Sequence, residues 1–145
     1  MDNDLKREVI LDNYSNPSNR GRVDNKDYIY VNSNNSSCID NIDLYILIEN
    51  NTIKDIKFDG EACAISTAST SIMTKELIGK TLDEALDFIT NFDNMINEKA
   101  YDENKFNEAI VFNEIYKQEN RKTCATLPYI GIKEAIEKYK NSNID

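Results

Sequence analysis

The stretch "IDLYILIENNTIKDIKF" (42–58) constrains the fold more than any other part of the chain. Apolar and polar residues alternate on both sides of Asn50-Asn51, with Leu44, Ile46 and Ile48 on one face. This pattern predicts strands over 42–49 and 52–58, joined by a hairpin turn in which asparagine tolerates the positive φ that such loops require. The alternation slips between Ile53 and Ile56, which predicts a bulge in the second strand. "YIYVN" (28–32) supplies a third strand.

After Gly60 the period becomes helical. Ile65, Ala68, Ile72 and Met73 share one side of a helix over 65–78 that Gly79 ends, and its Ala and Ser positions let another backbone approach closely. In "TLDEALDFI" (81–89), Thr81 and Glu84 form a capping box, with Leu82, Ala85, Leu86 and Ile89 inward. Residues 4–14 predict a short amphipathic helix with Leu5, Val9 and Ile10 inward, broken by Pro17 and Gly21. The polar stretch 93–105 reads as a loop, and 106–118 as a helix packed through Phe106, Ala109, Ile110 and Phe112 or Ile115. Pro128 suits the first turn of a last helix over 128–140, with Ile132, Ala135, Ile136 and Tyr139 packed. The expected fold is α+β: one domain over 1–145, a small antiparallel sheet of about three strands, and helices packed on one face.

A formal net charge of −9, with acidic residues spread along the chain, repels phosphate backbones and anionic membranes. Nucleic acid and membrane are therefore excluded as partners; a basic protein surface or a cationic ligand is favoured. The longest uncharged run, "ACAISTASTSIMT" (62–74), is too short and too hydroxyl-rich to span a bilayer. The N-terminal "MDNDLKREVI" lacks a signal-peptide layout, so the expected location is the cytoplasm. No Gly-rich phosphate loop is present, and the H-x-E and P-C-x-x-C elements of zinc deaminases are missing.

Three widely spaced cysteines argue against a disulfide framework and leave buried thiols, a metal site or a reactive thiol. Each is expected at an element junction: Cys38 before the hairpin, Cys63 after it at a helix start, Cys124 before the final helix. Helix N-termini favour the thiolate that serves as nucleophile or metal ligand. In an extended segment Cys38 and Asp40 point the same way. Three thiolates and one carboxylate make four donors, the number zinc takes, and a divalent cation would offset part of their charge. The spacing lacks the close CxxC pairs of zinc fingers, so it leaves both unligated core cysteines and a shared site open.

Four segments carry a resemblance. "DNYSNPSNRG" (12–21), "CID" (38–40), "FDGEACAISTAST" (58–70) and "RKTCATLPY" (121–129) resemble, in order and spacing, motifs of the IscU/NifU-type iron–sulfur assembly family. They are most similar to its SufU-like branch. The stretch between Cys63 and Cys124 is long, as in that branch, and Thr123 stands where IscU-type scaffolds carry a His. The chain has no His at all and lacks the Leu-Pro-Pro-Val-Lys motif.

The resemblance implies that Cys38, Asp40, Cys63 and Cys124 bind Zn²⁺. It also implies a sulfurtransferase-type protein that accepts persulfide sulfur from a PLP-dependent, SufS-type cysteine desulfurase and passes it to downstream iron–sulfur assembly proteins. By the same similarity Cys38 is the acceptor, Cys124 the second candidate, and Arg121 contacts Asp40 or the desulfurase. The alternative is a scaffold carrying a transient iron–sulfur cluster; a carboxylate in place of a fourth thiolate suits zinc better than a stable cluster. Ile39 and Ala62 replace family glycines. A β-branched residue beside Asp40 is expected to stiffen the loop or tilt the carboxylate.

Overall fold

The structure, a computed structural model, describes residues 1–35 and 39–142. Helix α1 (Asn3–Ser15) precedes strands β1 (Ile29–Asn34), β2 (Asn41–Glu49) and β3 (Thr52–Glu61). Helices α2 (Ala64–Leu77) and α3 (Leu82–Ile96) follow, then short 3₁₀ turns and the long helix α4 (Glu119–Ser142). The strands form an antiparallel sheet in the order β1-β2-β3. Asn50 and Asn51 turn the hairpin at φ 53° and 59°. Ile46 faces Ile56, but Ile48 faces Ile53, so β3 carries the one-residue bulge that the broken alternation predicts.

The sheet face holding Val31, Leu44, Ile46, Ile56 and Phe58 is buried under α2 and α4. The other face is polar, with Tyr30 Oη donating to Asp43 Oδ1 across the β1–β2 pair. Residues of the entry motif close the free edge of β3. Asn19, at φ 64°, accepts the Phe58 N–H, and the Gly21 N–H donates to the Phe58 carbonyl. Ser18 N–H donates to Ser71 Oγ and Asn19 Nδ2 to Thr74 Oγ1, fastening the same segment to α2. Thr81 and Glu84 make both bonds of the capping box.

Four local expectations change. In α1 the side that packs runs through Val9, Ile10 and the buried Asn13, whose Oδ1 accepts from Ser71; this leaves Leu5 45% exposed. Helix α3 runs on to Ile96 because Met95 and Ile96 are still core residues. The predicted helix 106–118 is instead a series of 3₁₀ turns, including Glu108–Phe112 and Ile115–Lys117. Phe106, Ala109, Phe112 and Ile115 recur every three residues, the 3₁₀ repeat, and all four are buried.

Pro128 lies inside α4, not at its start. A proline in a helix interior lacks the N–H that would bond the carbonyl four residues back, here that of Cys124. Ser66 Oγ lies 3.2 Å from that carbonyl. Ser69 Oγ donates to the Ala125 carbonyl at 2.6 Å, and Ser33 Oγ to that of Leu127 at 2.7 Å. The hydroxyls of α2 and β1 thus serve the α4 carbonyls around the proline, and the helix continues. Cys124 consequently sits in the second turn of α4 rather than at a junction.

Glu76 is buried on α2, where its Oε2 accepts the N–H groups of Asn107 and Ala109. Its Oε1 has no hydrogen-bond partner among the described residues. Burial raises its pKa above the usual glutamate value. The folded state therefore holds this proton more tightly than the unfolded chain, and the associated stability is lost as pH rises through the folded pKa. Glu76→Gln keeps an oxygen for the two N–H groups. It is expected to be more stable than the parent at pH 8 by about 1 kcal/mol, with no gain at pH 4. Urea midpoints at the two pH values measure this; an equal shift at both would count against it.

Candidate metal centre

The hairpin register sets the first two residues of the site. Its last pair is Asn41 with Glu61, so Asp40, just before β2, lies beside the segment that leaves β3 for α2. Cys63 is the N-cap of α2, and its N–H donates to Asp40 Oδ1 at 2.7 Å. Its sulfur accepts the Ser66 N–H at 3.4 Å, at the end of the helix whose dipole favours negative charge. The second turn of α4 brings in Cys124. One oxygen of Asp40 and the sulfurs of Cys63 and Cys124 all lie within 4.8 Å of one another.

Asp40 is buried and both cysteines are half-buried. Cys63 Sγ and Asp40 Oδ2 are 3.7 Å apart. A tetrahedral zinc with ordinary Zn–S and Zn–O bonds spaces such donors about 3.6 Å apart, so soft and hard donors already stand at a separation a cation can bridge. Without one, burial first and the neighbouring Cys63 second push the Cys124 thiol up to about 12. Two thiolates and a carboxylate need a positive charge among them to coexist here.

Cys38 lies outside the described residues. Ile39 is 73% exposed and takes no positive φ, so the β-branched side chain points away from the site without backbone strain and Asp40 still turns inward. Arg121 sits in the first turn of α4, exposed, with no ion pair among the described residues. It lines an open groove of about 730 Å³ together with Cys63 and Cys124, Ile10 and Leu11 of α1, and Ile65. Ser66 was not among the sequence-derived candidates. Its position three residues after the cysteine cap is the signal that could have pointed to it, because the third helical residue is where side chains reach back toward a cap.

The model of the NifU-like N-terminal domain family matches residues 5–145. The chain belongs to that family. Among its relatives is the zinc-dependent sulfurtransferase SufU of Bacillus subtilis (strain 168), 35% identical over 140 residues, 96% of this chain and 94% of that one. The iron–sulfur cluster assembly scaffold protein IscU of Thermotoga maritima is 34% identical, covering 90% of this chain and 92% of its own. The structure superposes on FiSufU, a SUF-system protein of Fervidobacterium islandicum AW-1, with a TM-score of 0.82 at 36% identity, over 87% and 92% of the two chains. An N-terminal NifU-like protein of Brucella abortus shares the fold, with a TM-score of 0.85 at 20% identity over 96% of each chain. As in the expectation from sequence, this family member has three antiparallel strands with helices on one face. Among its described residues no helix is long and apolar enough to cross a membrane.

Proposed function

We propose that this NifU-like protein is a zinc-dependent sulfur acceptor that takes persulfide sulfur from a PLP-dependent cysteine desulfurase for iron–sulfur cluster assembly. Cys38, Asp40, Cys63 and Cys124 would hold the zinc. The observation that carries the reading is the convergence of Asp40, Cys63 and Cys124 from three separate elements within 4.8 Å. Similarity to the Bacillus sulfurtransferase supports it along nearly the whole chain.

Bound zinc keeps its thiol ligands deprotonated at neutral pH. The Cys38 thiolate attacks the outer sulfur of the desulfurase's cysteine persulfide. The S–S bond of that persulfide breaks, the desulfurase cysteine leaves as a thiolate, and the outer sulfur remains on Cys38 as a new persulfide. Cys63 and Asp40 stay fixed to each other through the Cys63 N–H and keep the site assembled during the exchange. The groove beside the two sulfurs, floored by Ile10, Leu11 and Ile65, gives a partner's loop a way in, and Arg121 on its wall attracts the anionic persulfide.

Metal analysis of the native protein and of Cys38→Ser, Asp40→Ala, Cys63→Ser and Cys124→Ser tests this. The parent is expected to hold one zinc per chain and to stimulate sulfide release by a cysteine desulfurase. Each variant is expected to lose zinc, and Cys38→Ser to lose the stimulation. Zinc unchanged in all four variants overturns the ligand assignment. Similarity to the Thermotoga scaffold supports a second reading, assembly of a labile cluster on the same residues. An oxygen-sensitive iron–sulfur cluster at stoichiometric yield, with no zinc in the native protein, would put that reading first.

A further inference from the structure

We infer that Ser66 is the positioning residue of this centre, its buried hydroxyl fixing the Asp40 carboxylate in the orientation that binds metal; the inference rests on the zinc reading above. Ser66 is fully buried in the first turn of α2. Its Oγ donates to Asp40 Oδ2 at 2.6 Å, a short bond to an anionic acceptor. Its N–H donates to Cys63 Sγ at 3.4 Å, and its Oγ also lies 3.2 Å from the Cys124 carbonyl that Pro128 leaves without a helical partner. One residue therefore touches all three segments that bring donors to the site.

The arrangement is a capping box with its second half redirected. In the usual box the third helical residue returns a side-chain bond to the cap's own N–H. Here the Cys63 N–H goes to Asp40 Oδ1 and the Ser66 hydroxyl to Asp40 Oδ2, so the carboxylate takes the place of that returning side chain. Both oxygens are held, and the plane of the carboxylate is set. Without the hydroxyl, Oδ2 would lose a 2.6 Å donor in a buried position, and the carboxylate would be held less firmly on that side.

The test is zinc affinity by chelator competition for the parent, Ser66→Ala, Asp40→Ala and the double variant, with metal-free thermal unfolding recorded for each. Ser66→Ala is expected to bind one zinc about 10- to 100-fold more weakly, as outer hydrogen-bond partners of metal ligands generally do when removed. In the Asp40→Ala background the same change is expected to add nothing, because the effect acts through Asp40. Ser66→Thr, which keeps the hydroxyl, is expected to retain the parent's affinity. Cobalt(II) loaded into Ser66→Ala is expected to show shifted ligand-field bands with its thiolate charge-transfer bands retained. Parent-like affinity in Ser66→Ala, or an equal fall in both backgrounds, overturns the inference alone. A parent that binds no zinc overturns the zinc reading and the inference with it.

Discussion

Gly60→Ala is expected to remove about 3 kcal/mol or more of folding stability and to loosen the metal centre with it. Gly60 has φ +120°, a backbone conformation that side chains rarely adopt. A Cβ there would lie 2.2 Å from the Asn41 carbonyl oxygen and 3.3 Å from its carbon, and both atoms are backbone that cannot rotate aside. Asn41 opens β2 and pairs with Glu61, so any shift that relieves the overlap pushes on the residue next to Asp40 and on the segment leading to Cys63. Two costs thus add, left-handed strain and steric overlap, and the only escape moves the site. Urea unfolding of the metal-free variant against the parent measures the first part, and zinc content the second. A loss within about 0.5 kcal/mol, the range of an ordinary surface change, would show that the hairpin end yields freely.

The hairpin was legible because its signals are local: alternation, an Asn-Asn turn and a broken phase that became a bulge. The capping box at Thr81 was legible for the same reason. Pro128 lies inside α4 against the expectation because the rule that places proline at helix starts assumes that the carbonyl four residues back has no other donor. Serines distant in sequence supply those donors, and nothing in "TCATLPYIG" announces them. The 106–118 segment failed differently. Its three-residue spacing was visible, but three and four are both helical neighbours, and an apolar residue at 110 completed an α-type pattern that the fold does not use.

For the site, spacing alone leaves shared and separate cysteines open, and only the resemblance of the four family segments points to a shared one. The structure brings together Asp40, Cys63 and Cys124, while Cys38 falls outside the described residues. Apart from its place three residues after the cap, Ser66 carries no signal of its role in the sequence, because a small residue in a run of small residues reads as packing. The run "AISTASTS" (64–71) looks like a surface for close helix approach; yet Ser66, Ser69 and Ser71 each direct their hydroxyl to a partner in another segment. Close approach and hydrogen bonding are one device: the helices come near enough because the side chains are small, and the hydroxyls then satisfy carbonyls and a carboxylate that would otherwise be buried without donors.

Stripping the proposed zinc with a chelator is expected to lower the thermal midpoint by about 10 °C when the loaded sample holds free zinc near a thousand times its dissociation constant. A ligand bound only by the folded state then contributes about 4 kcal/mol, and each kcal/mol moves the midpoint of a chain of this size by about 3 °C. The cation would tie the residue before β2 to the N-cap of α2 and the second turn of α4, so its removal unlinks three segments at once. The pH dependence has a definite sign. Without metal the Cys124 thiol, pushed up to about 12, keeps its proton across the neutral range, so zinc uptake must release it. Affinity therefore falls about tenfold per pH unit for each proton displaced. At fixed zinc the difference between loaded and stripped midpoints is expected to shrink from pH 8 to pH 6. Coincident midpoints for a sample shown to contain bound zinc would mean that the unfolded chain holds the ion as tightly as the folded one, and a site assembled by the convergence of three segments would have to be abandoned.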